Sequence, residues 1–363
     1  MSISIAYFVS SHGFGHAARA AAVMDAIFRL RGDVHFHIYA GTPLWFFEDS
    51  LSSGFQYHPT RTDIGMVQLT PLREDLEATC AALDGFLPFD AGRVADLAAQ
   101  VRQASCTLVM CDIAPLGLAV AEQAGLPSLL VENFTWDWIY EGCHPRSARL
   151  ERHVAYLRTQ FGRATYRIQA EPVCQPLPCD LTVGPVARRP KQSRQALRGR
   201  LGIPDSTALV LVTMGGTPNR YSHLPRLEAA CNMQFVVPGA ARELQHRGPL
   251  LLLPEHSTFY HPDLVHSADA VMGKVGYSTL AEVYRVGLPI GYITRPGFRE
   301  SGLLEAFITS QMPALRVPQE AFESGRWEAL AARLLALPKA PVRSADGADA
   351  VARFVVDLLP RAI

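Results

Sequence analysis

The sequence predicts an α/β protein of two similar halves, each a mostly parallel sheet with helices on both faces. Three observations predict it. Short, almost wholly apolar runs alternate with helical patterns, as strands buried on both faces require. A basic, proline-containing stretch, VARRPKQSRQ, interrupts the alternation, which then restarts. Each half opens with a strand that runs into a glycine turn, SHGFGH in the first and TMGGTPN in the second. The expected bounds are residues 1–188 for the first unit, 189–340 for the second, and 341–363 for a last helix packing back on the first. With 363 residues, 48% of them hydrophobic, the chain can bury two cores of ordinary size.

The elements follow in order. Ile3 to Val9 reads as a strand, His16 to Leu30 as an Ala-rich helix, and Val34 to Tyr39 as the second strand. Pro43 opens a short helix through PLWFFEDSL, and Phe55 to His58 is the third strand. Between Gly65 and Gly92 the pattern is irregular, with one helix expected near Arg73 to Leu83. A helix from Ala91 to Gln103 leads into the strand CTLVMCD, and PLGLAVAEQAG leads as a helix into PSLLVEN. Residues 147 to 165 read as a long polar helix, and CDLTVGP closes the half. In the second half TALVLVT, MQFVVPG, PLLLLP, ADAVMGK and LPIGYIT are the strands. The last helix, near Ala345 to Leu359, follows the connector ALPKAPVRS.

Composition narrows the function. Lys+Arg and Asp+Glu are both 34, so no general electrostatic pull on nucleic acid is expected. Seven cysteines without a C-x-x-C read as reduced thiols rather than a zinc site or a disulfide framework. The N-terminus carries no basic leader, and no apolar run reaches membrane-span length. A soluble, cytoplasmic protein is the expectation. An exposed apolar patch at Leu44 to Phe47 would suit peripheral contact with a lipid-linked molecule; a core-facing helix is the plainer outcome.

The first glycine turn, Gly13-Phe14-Gly15-His16-Ala17-Ala18, has dinucleotide-fingerprint spacing. Such a site also needs an acid at the end of the second strand to bind ribose hydroxyls. That strand ends HIYAGTP, and Asp33 precedes it, at the wrong edge of the sheet. The turn still leaves the carboxyl end of a parallel strand, where open α/β sheets bind ligands. Gly13 and Gly15 permit close approach. His16, at a helix start, is favoured neutral by the helix dipole and is a candidate general base, or else a cap. Asp112, leaving CTLVMCD at the same sheet edge, is the candidate to orient it, with Asp137 as competitor; an N-cap for the Pro115 helix is the bland role for Asp112. Trp136 and Trp138 read either as core or as the wall of a sugar pocket.

In the second half a strand expected to end at Met272 enters the turn Gly273-Lys274-Val275-Gly276, and a helix starts near Tyr277. The first amides of a helix lack partners and carry partial positive charge, so they form an anion site suited to a diphosphate. Lys274 adds a full charge. Glu282, three residues after Thr279, is placed to accept from ribose hydroxyls, or else faces solvent.

GKVGYSTLAEVYRVGLP resembles the nucleotide-sugar-binding segment of GT-B glycosyltransferases, particularly the type that adds N-acetylglucosamine to the lipid-linked peptidoglycan precursor. VTMGGTPN and SHGFGH are similar to that family's two glycine turns. SSHGFGHAARAA with ENFTWDWIYE also resembles the glycosyltransferase-like region ahead of the sugar kinase in plant arabinokinases. The resemblance spans about residues 4 to 335. It implies a GT-B fold, two Rossmann-like domains with parallel sheets facing across a cleft. It implies that Gly215, Gly216, Thr217, Gly276, Tyr277, Ser278 and Thr279 face the donor diphosphate, that Glu282 holds the ribose, and that His16 is the base. At GFRESGLLEAF the chain departs from the lipid-precursor enzymes, which carry a glutamine and an asparagine there. The aligned segment here offers Arg299, Glu300, Ser301 and Glu305, with Glu300 and Ser301 the candidate substrate contacts, so an N-acetylglucosamine donor is not implied.

The expected activity is inverting, metal-independent transfer of a hexosyl or N-acetylhexosaminyl group from a nucleotide-diphosphate donor to a hydroxyl acceptor, small or lipid-linked. UDP is the expected nucleotide, and no further cofactor or metal is expected. A hydrolysing nucleotide-sugar 2-epimerase of the same fold is the competing enzyme, and a non-catalytic nucleotide-sugar-binding protein the competing class.

Overall fold

The computed structural model describes residues 2–52, 54–70, 72–145, 147–215, 224, 233–343 and 346–360. In the first half the strands are β1 (Ile3–Val9), β2 (Val34–Ala40), β3 (Phe55–Pro59), β4 (Gln68–Thr70), β5 (Arg73–Glu74), β6 (Cys106–Asp112), β7 (Ser128–Glu132), β8 (Tyr166–Ala170) and β9 (Leu181–Val183). Seven of them form one parallel sheet in the order β3-β2-β1-β6-β7-β8-β9, and β4 and β5 make a separate antiparallel hairpin. The second half holds β10 (Ala208–Thr213), β11 (Met233–Pro238), β12 (Gln245–Arg247), β13 (Leu250–Leu253), β14 (Ala270–Lys274), β15 (Ile290–Ile293) and β16 (Ala314–Arg316). Their order is β12-β13-β11-β10-β14-β15-β16, parallel except for the β12–β13 pair.

Each sheet is buried on both faces, which is why the strands read as continuous apolar runs. On one face of the first sheet Ile5, Tyr7 and Val9 pack on Val23 and Ile27 of the Gly13–Leu30 helix; on the other Ala6 and Phe8 meet Leu116 and Val120. The second sheet likewise separates two clusters, one around Leu211, Val271 and Leu280, the other around Val212, Met272 and Trp327. The last helix, Gly347–Leu358, is capped by Asp346, whose carboxylate accepts from the Ala348 amide at 3.0 Å. Its Val351 and Val355 join the core of the first half, and Arg29 reaches Asp349 at 2.8 Å.

Several elements differ from the sequence reading. The first helix begins at Gly13, so the glycine turn is its opening turn, and the connecting loop is Ser10 to His12. Arg73 and Glu74 are in the hairpin; the helix there is Leu76–Asp84, capped by Asp75. The polar helix is Ala148–Phe161, and β8, the strand YRIQA, follows it. A strand carrying Arg167 and Gln169 lacks an apolar run; both side chains satisfy the buried Glu132 carboxylate, at 3.1 and 2.9 Å. The basic linker is pinned: Arg188 Nε donates to Glu282 at 2.9 Å and Lys191 Nζ to the Asp49 carbonyl at 2.7 Å.

β14 runs on through Lys274, so Gly273 is a strand residue and the turn is shorter than expected. Gly273 is opposite Thr213 of β10, and a Cβ there would overlap the Thr213 carbonyl, a backbone group that no rotamer change can move. Gly276 is extended, and a Cβ on it would meet nothing within 4 Å. Gly273→Ala is therefore expected to destabilise the fold by about 3 kcal/mol, and Gly276→Ala by no more than about 1 kcal/mol. Urea unfolding of the two variants checks the contrast; equal costs would contradict it.

Candidate active site

The ends of β1 and β6 in the first half and of β10 and β14 in the second open onto one cleft, lined from both halves. Register builds the first side. Val9 pairs with Asp112 at the ends of β1 and β6, and the Ser10 amide donates to the Asp112 carbonyl at 3.0 Å. The chain then turns into the Gly13–Leu30 helix, so His16, in its first turn, meets the Asp112 side chain, Nδ1 to Oδ1 at 3.0 Å. An ionised carboxylate only accepts, so the contact requires the proton on Nδ1 and leaves Nε2 bare in the neutral ring. The ring lines the cleft at 8% exposure.

Asp112 is fully buried. Arg19, three residues after His16 on the same helix face, grips it through Nε and Nη2, both at 2.7 Å. Burial alone would raise the Asp112 carboxyl; Arg19 and His16 outweigh it and hold the group below its ordinary value. The two open questions about this carboxylate have geometric answers. The Pro115–Ala124 helix has Ala114 at its N-cap and no side-chain cap, so Asp112 does not serve it. Asp137 instead pairs with Arg158 at 3.6 Å.

His12, the other histidine of the turn, is half-buried, and its Nδ1 accepts from the Met66 amide at 3.3 Å. Burial, then the nearby His16, Arg295 and Lys274, hold it well below the usual imidazole range. Trp136 and Trp138 are both buried outside the cleft lining: Trp136 donates to Asp63 at 2.7 Å, and Arg299 covers Trp138 at 4.1 Å.

On the second side, Thr213 and Gly273 are neighbours, so the Gly215 turn after β10 comes beside Lys274. Gly215 has φ +70, which glycine adopts without strain. The Tyr277–Val286 helix begins after Gly276 with no side-chain cap, and Gly276, Tyr277, Ser278 and Thr279 all line the cleft. Lys274 lines it too, and its side chain has no hydrogen-bond partner among the described residues. Burial, then Arg295, push its ammonium down to about 7. A Cβ on Gly15 would stand 3.8 Å from Ser278 Oγ, so the openings of the two helices face each other closely. Gly216 and Thr217 lie outside the described residues.

Two expected contacts, Glu282 and Ser301, are placed outside the cleft lining, and Tyr277, which lines it, makes a further bond. Glu282 is 3% exposed; Oε1 accepts from Arg188 at 2.9 Å and Oε2 from His261 Nδ1 at 2.8 Å. Burial would raise its carboxyl, but Arg188 and His261 hold it below the ordinary value. Arg188 and His261, rather than Glu282, line the cleft. The Tyr277 hydroxyl accepts from the Val186 amide at 3.1 Å, which ties this helix to the first half. Ser301 is buried, its Oγ accepting from the Arg295 amide at 2.8 Å, and is not part of the lining, whereas Glu300 is. An aromatic wall of Phe14, Trp45, Phe46 and Tyr260 lines the cleft. Trp45 and Phe46 belong to the apolar stretch read as a patch for a lipid-linked molecule, whereas Phe14 and Tyr260 were not singled out from the sequence as site residues. Arg188 lies between Phe46 and Tyr260, at 4.8 and 5.1 Å. Arg19 and Asn133 were also missed, although Arg19 carries the helical spacing from His16.

No family model matches the chain. It is 25% identical over 361 residues to an L-arabinokinase of Arabidopsis thaliana, covering 96% of this chain and 34% of that protein. The chain thus spans about a third of the curated relative it matches. Among solved structures it is similar to the glycotransferase of kitacinnamycin (TM-score 0.65, 15% identity, 99% and 100% of the two chains). A UDP-glucosyltransferase from Polygonum tinctorium gives TM-score 0.63 at 15% identity, with 99% of each chain covered. MurG of Acinetobacter baumannii gives 0.52 at 14% identity, with 98% of each covered. The two parallel-dominated sheets are thus those of the GT-B fold, as expected.

Removing Arg19 strands a buried carboxylate. Arg19→Leu is expected to cost about 3–5 kcal/mol in urea unfolding, with Arg19→Leu/Asp112→Leu recovering part of it. A single-variant cost under about 1 kcal/mol, the level of an exposed pair, would contradict the assignment.

Proposed function

We propose that the protein transfers a sugar from a nucleoside-diphosphate donor to a hydroxyl acceptor, with inversion at the anomeric carbon and without a metal ion. The observation that carries the reading is the His16–Asp112 pair facing an uncapped helix start and Lys274 across one cleft. His16 Nε2 takes the acceptor hydroxyl proton while Asp112 steadies the ring through Nδ1–H. The acceptor oxygen bonds to the anomeric carbon from the side opposite the nucleotide. The bond from that carbon to the diphosphate oxygen breaks, and its electron pair leaves with the diphosphate. The amides of Gly276 to Thr279 and the Lys274 ammonium meet that growing charge. GT-B neighbours support the reading at the level of fold; a glycosyltransferase solved with DTDP and another with a UDP-sugar share it at 17% and 15% identity. UDP is the nucleotide proposed here, and Glu300 the donor-sugar contact.

His16→Ala is expected to lower turnover by at least about 10²-fold, with UDP affinity by calorimetry unchanged. Full activity in this variant would contradict the base. Lys274 supplies a pH test. Its ammonium, lowered to about 7 in the free protein, is stabilised by a bound diphosphate, so binding at pH 8 takes up protons. UDP affinity is expected to fall as pH rises from about 7 towards 9. Calorimetry in buffers of different ionisation enthalpy checks this; the same proton uptake in Lys274→Met would contradict it.

A further inference from the structure

Two groups compete for the Nδ1 of His16. Asp112 Oδ1 lies at 3.0 Å and can only accept, so it requires a proton on Nδ1. Arg19 Nη2 lies at 3.5 Å and can only donate, so it favours a bare Nδ1. The second arrangement moves the ring proton to Nε2 and removes the acceptor that the cleft needs. The outcome depends on where the guanidinium is held. Nε and Nη2 lie on Asp112, both at 2.7 Å, and Nη1 donates to Asn133 Oδ1 at 2.6 Å. Asn133 is fully buried just beyond the end of β7.

The amide of Asn133 is oriented by its partners at both ends. Its oxygen faces the Arg19 donor, and its Nδ2 faces Glu300 Oε1 at 2.9 Å, with Cys174 Sγ a weak second partner at 3.8 Å. A flipped amide would set donor against donor and oxygen against carboxylate. Glu300 is the first residue of the Glu300–Gln311 helix in the second half; it is 4% exposed and lines the cleft. One hydrogen-bonded chain thus runs from the second half, through Asn133 and Arg19, to the histidine of the first.

We propose that Arg19, Asn133 and Glu300 form a positioning relay that holds the guanidinium on Asp112 and so fixes the proton of His16 on Nδ1. The role of the resulting bare Nε2 rests on the base assigned to His16 above; the relay itself is a statement about the tautomer. Without Asn133, Arg19 Nη2 turns towards His16 Nδ1, and the ring populates both tautomers. Glu300 acts at one remove, by keeping the Asn133 oxygen on Arg19, and brings a residue of the donor side into control of the base.

The test is the ¹⁵N spectrum of the histidine rings in the full chain, with His16 assigned by its absence in His16→Gln. Read at a pH high enough that the ring carries no charge, the wild type is expected to show one tautomer, protonated at Nδ1. Asn133→Leu, close to isosteric and unable to make either bond, is expected to show averaged shifts of both forms. Glu300→Met is expected to move the same resonances part of the way, and Glu300→Gln, which still offers Asn133 an oxygen, to restore the wild-type pattern. A merely structural role for Asn133 would lower thermal stability and leave the tautomer as it was. A folded Asn133→Leu with a single Nδ1-protonated His16 overturns the relay. If that variant does not fold, an unshifted His16 in Glu300→Met overturns it instead. Nucleotide binding and turnover do not enter this readout, so failure of the glycosyl-transfer reading would leave it intact.

Discussion

The ion pair between Asp112 and Arg19 is the constraint on which the rest of the cleft depends. A carboxylate with no solvent exposure persists in charged form only when a partner and hydrogen bonds replace its lost water. Arg19 supplies both through two bonds at 2.7 Å. The pair cannot be explained as a means of holding the sheet together, since apolar residues of similar volume would do that at lower cost. It gives one carboxylate a fixed direction at the end of β6, and the imidazole of His16 takes its orientation from that. The Arg19 guanidinium also lies over the Tyr277 ring at 4.9 Å, so the first helix of one half and the Tyr277–Val286 helix of the other share a contact.

The cleft is polar where reaction is proposed and aromatic beyond it. Helix openings face each other at Gly15 and Ser278, with Lys274 behind the second. Further out, Arg188 lies between Phe46 and Tyr260 and pairs with the buried Glu282. Linker, first half and second half meet there. The halves are joined along the cleft by charge pairs and ring contacts between residues far apart in sequence, and by Tyr277, Ala281 and the last helix, which pack into the core of the first half.

The fold was legible because parallel strands buried on both faces leave apolar runs that need no partner to be recognised. His16 and Asp112 were legible as lying at one edge of the sheet; that they touch follows from β1 and β6 being neighbours, which the sequence pattern does not fix. The alternatives for Asp112 closed only when Ala114 was seen at the helix start. YRIQA was missed because its polar residues satisfy a buried glutamate, information that resides in another strand. Gly273 was read as a turn because a glycine required by a neighbouring backbone looks identical in sequence. Glu282 was read towards a ligand because its partners, Arg188 and His261, are 94 and 21 residues away. Arg19 was within reach: its spacing from His16 places both on one helix face. An Ala-rich setting hid it, since a buried arginine among alanines reads as a surface residue until its carboxylate is found.

The most direct measurement of the central claim is a crystal structure of the protein soaked with UDP. The account predicts diphosphate oxygens within hydrogen-bond reach of the amides between Gly276 and Thr279 and of Lys274 Nζ, with His16 Nε2 facing the open space beside the outer phosphate. A diphosphate bound against the Gly13–Gly15 turn instead, away from Lys274, would contradict it.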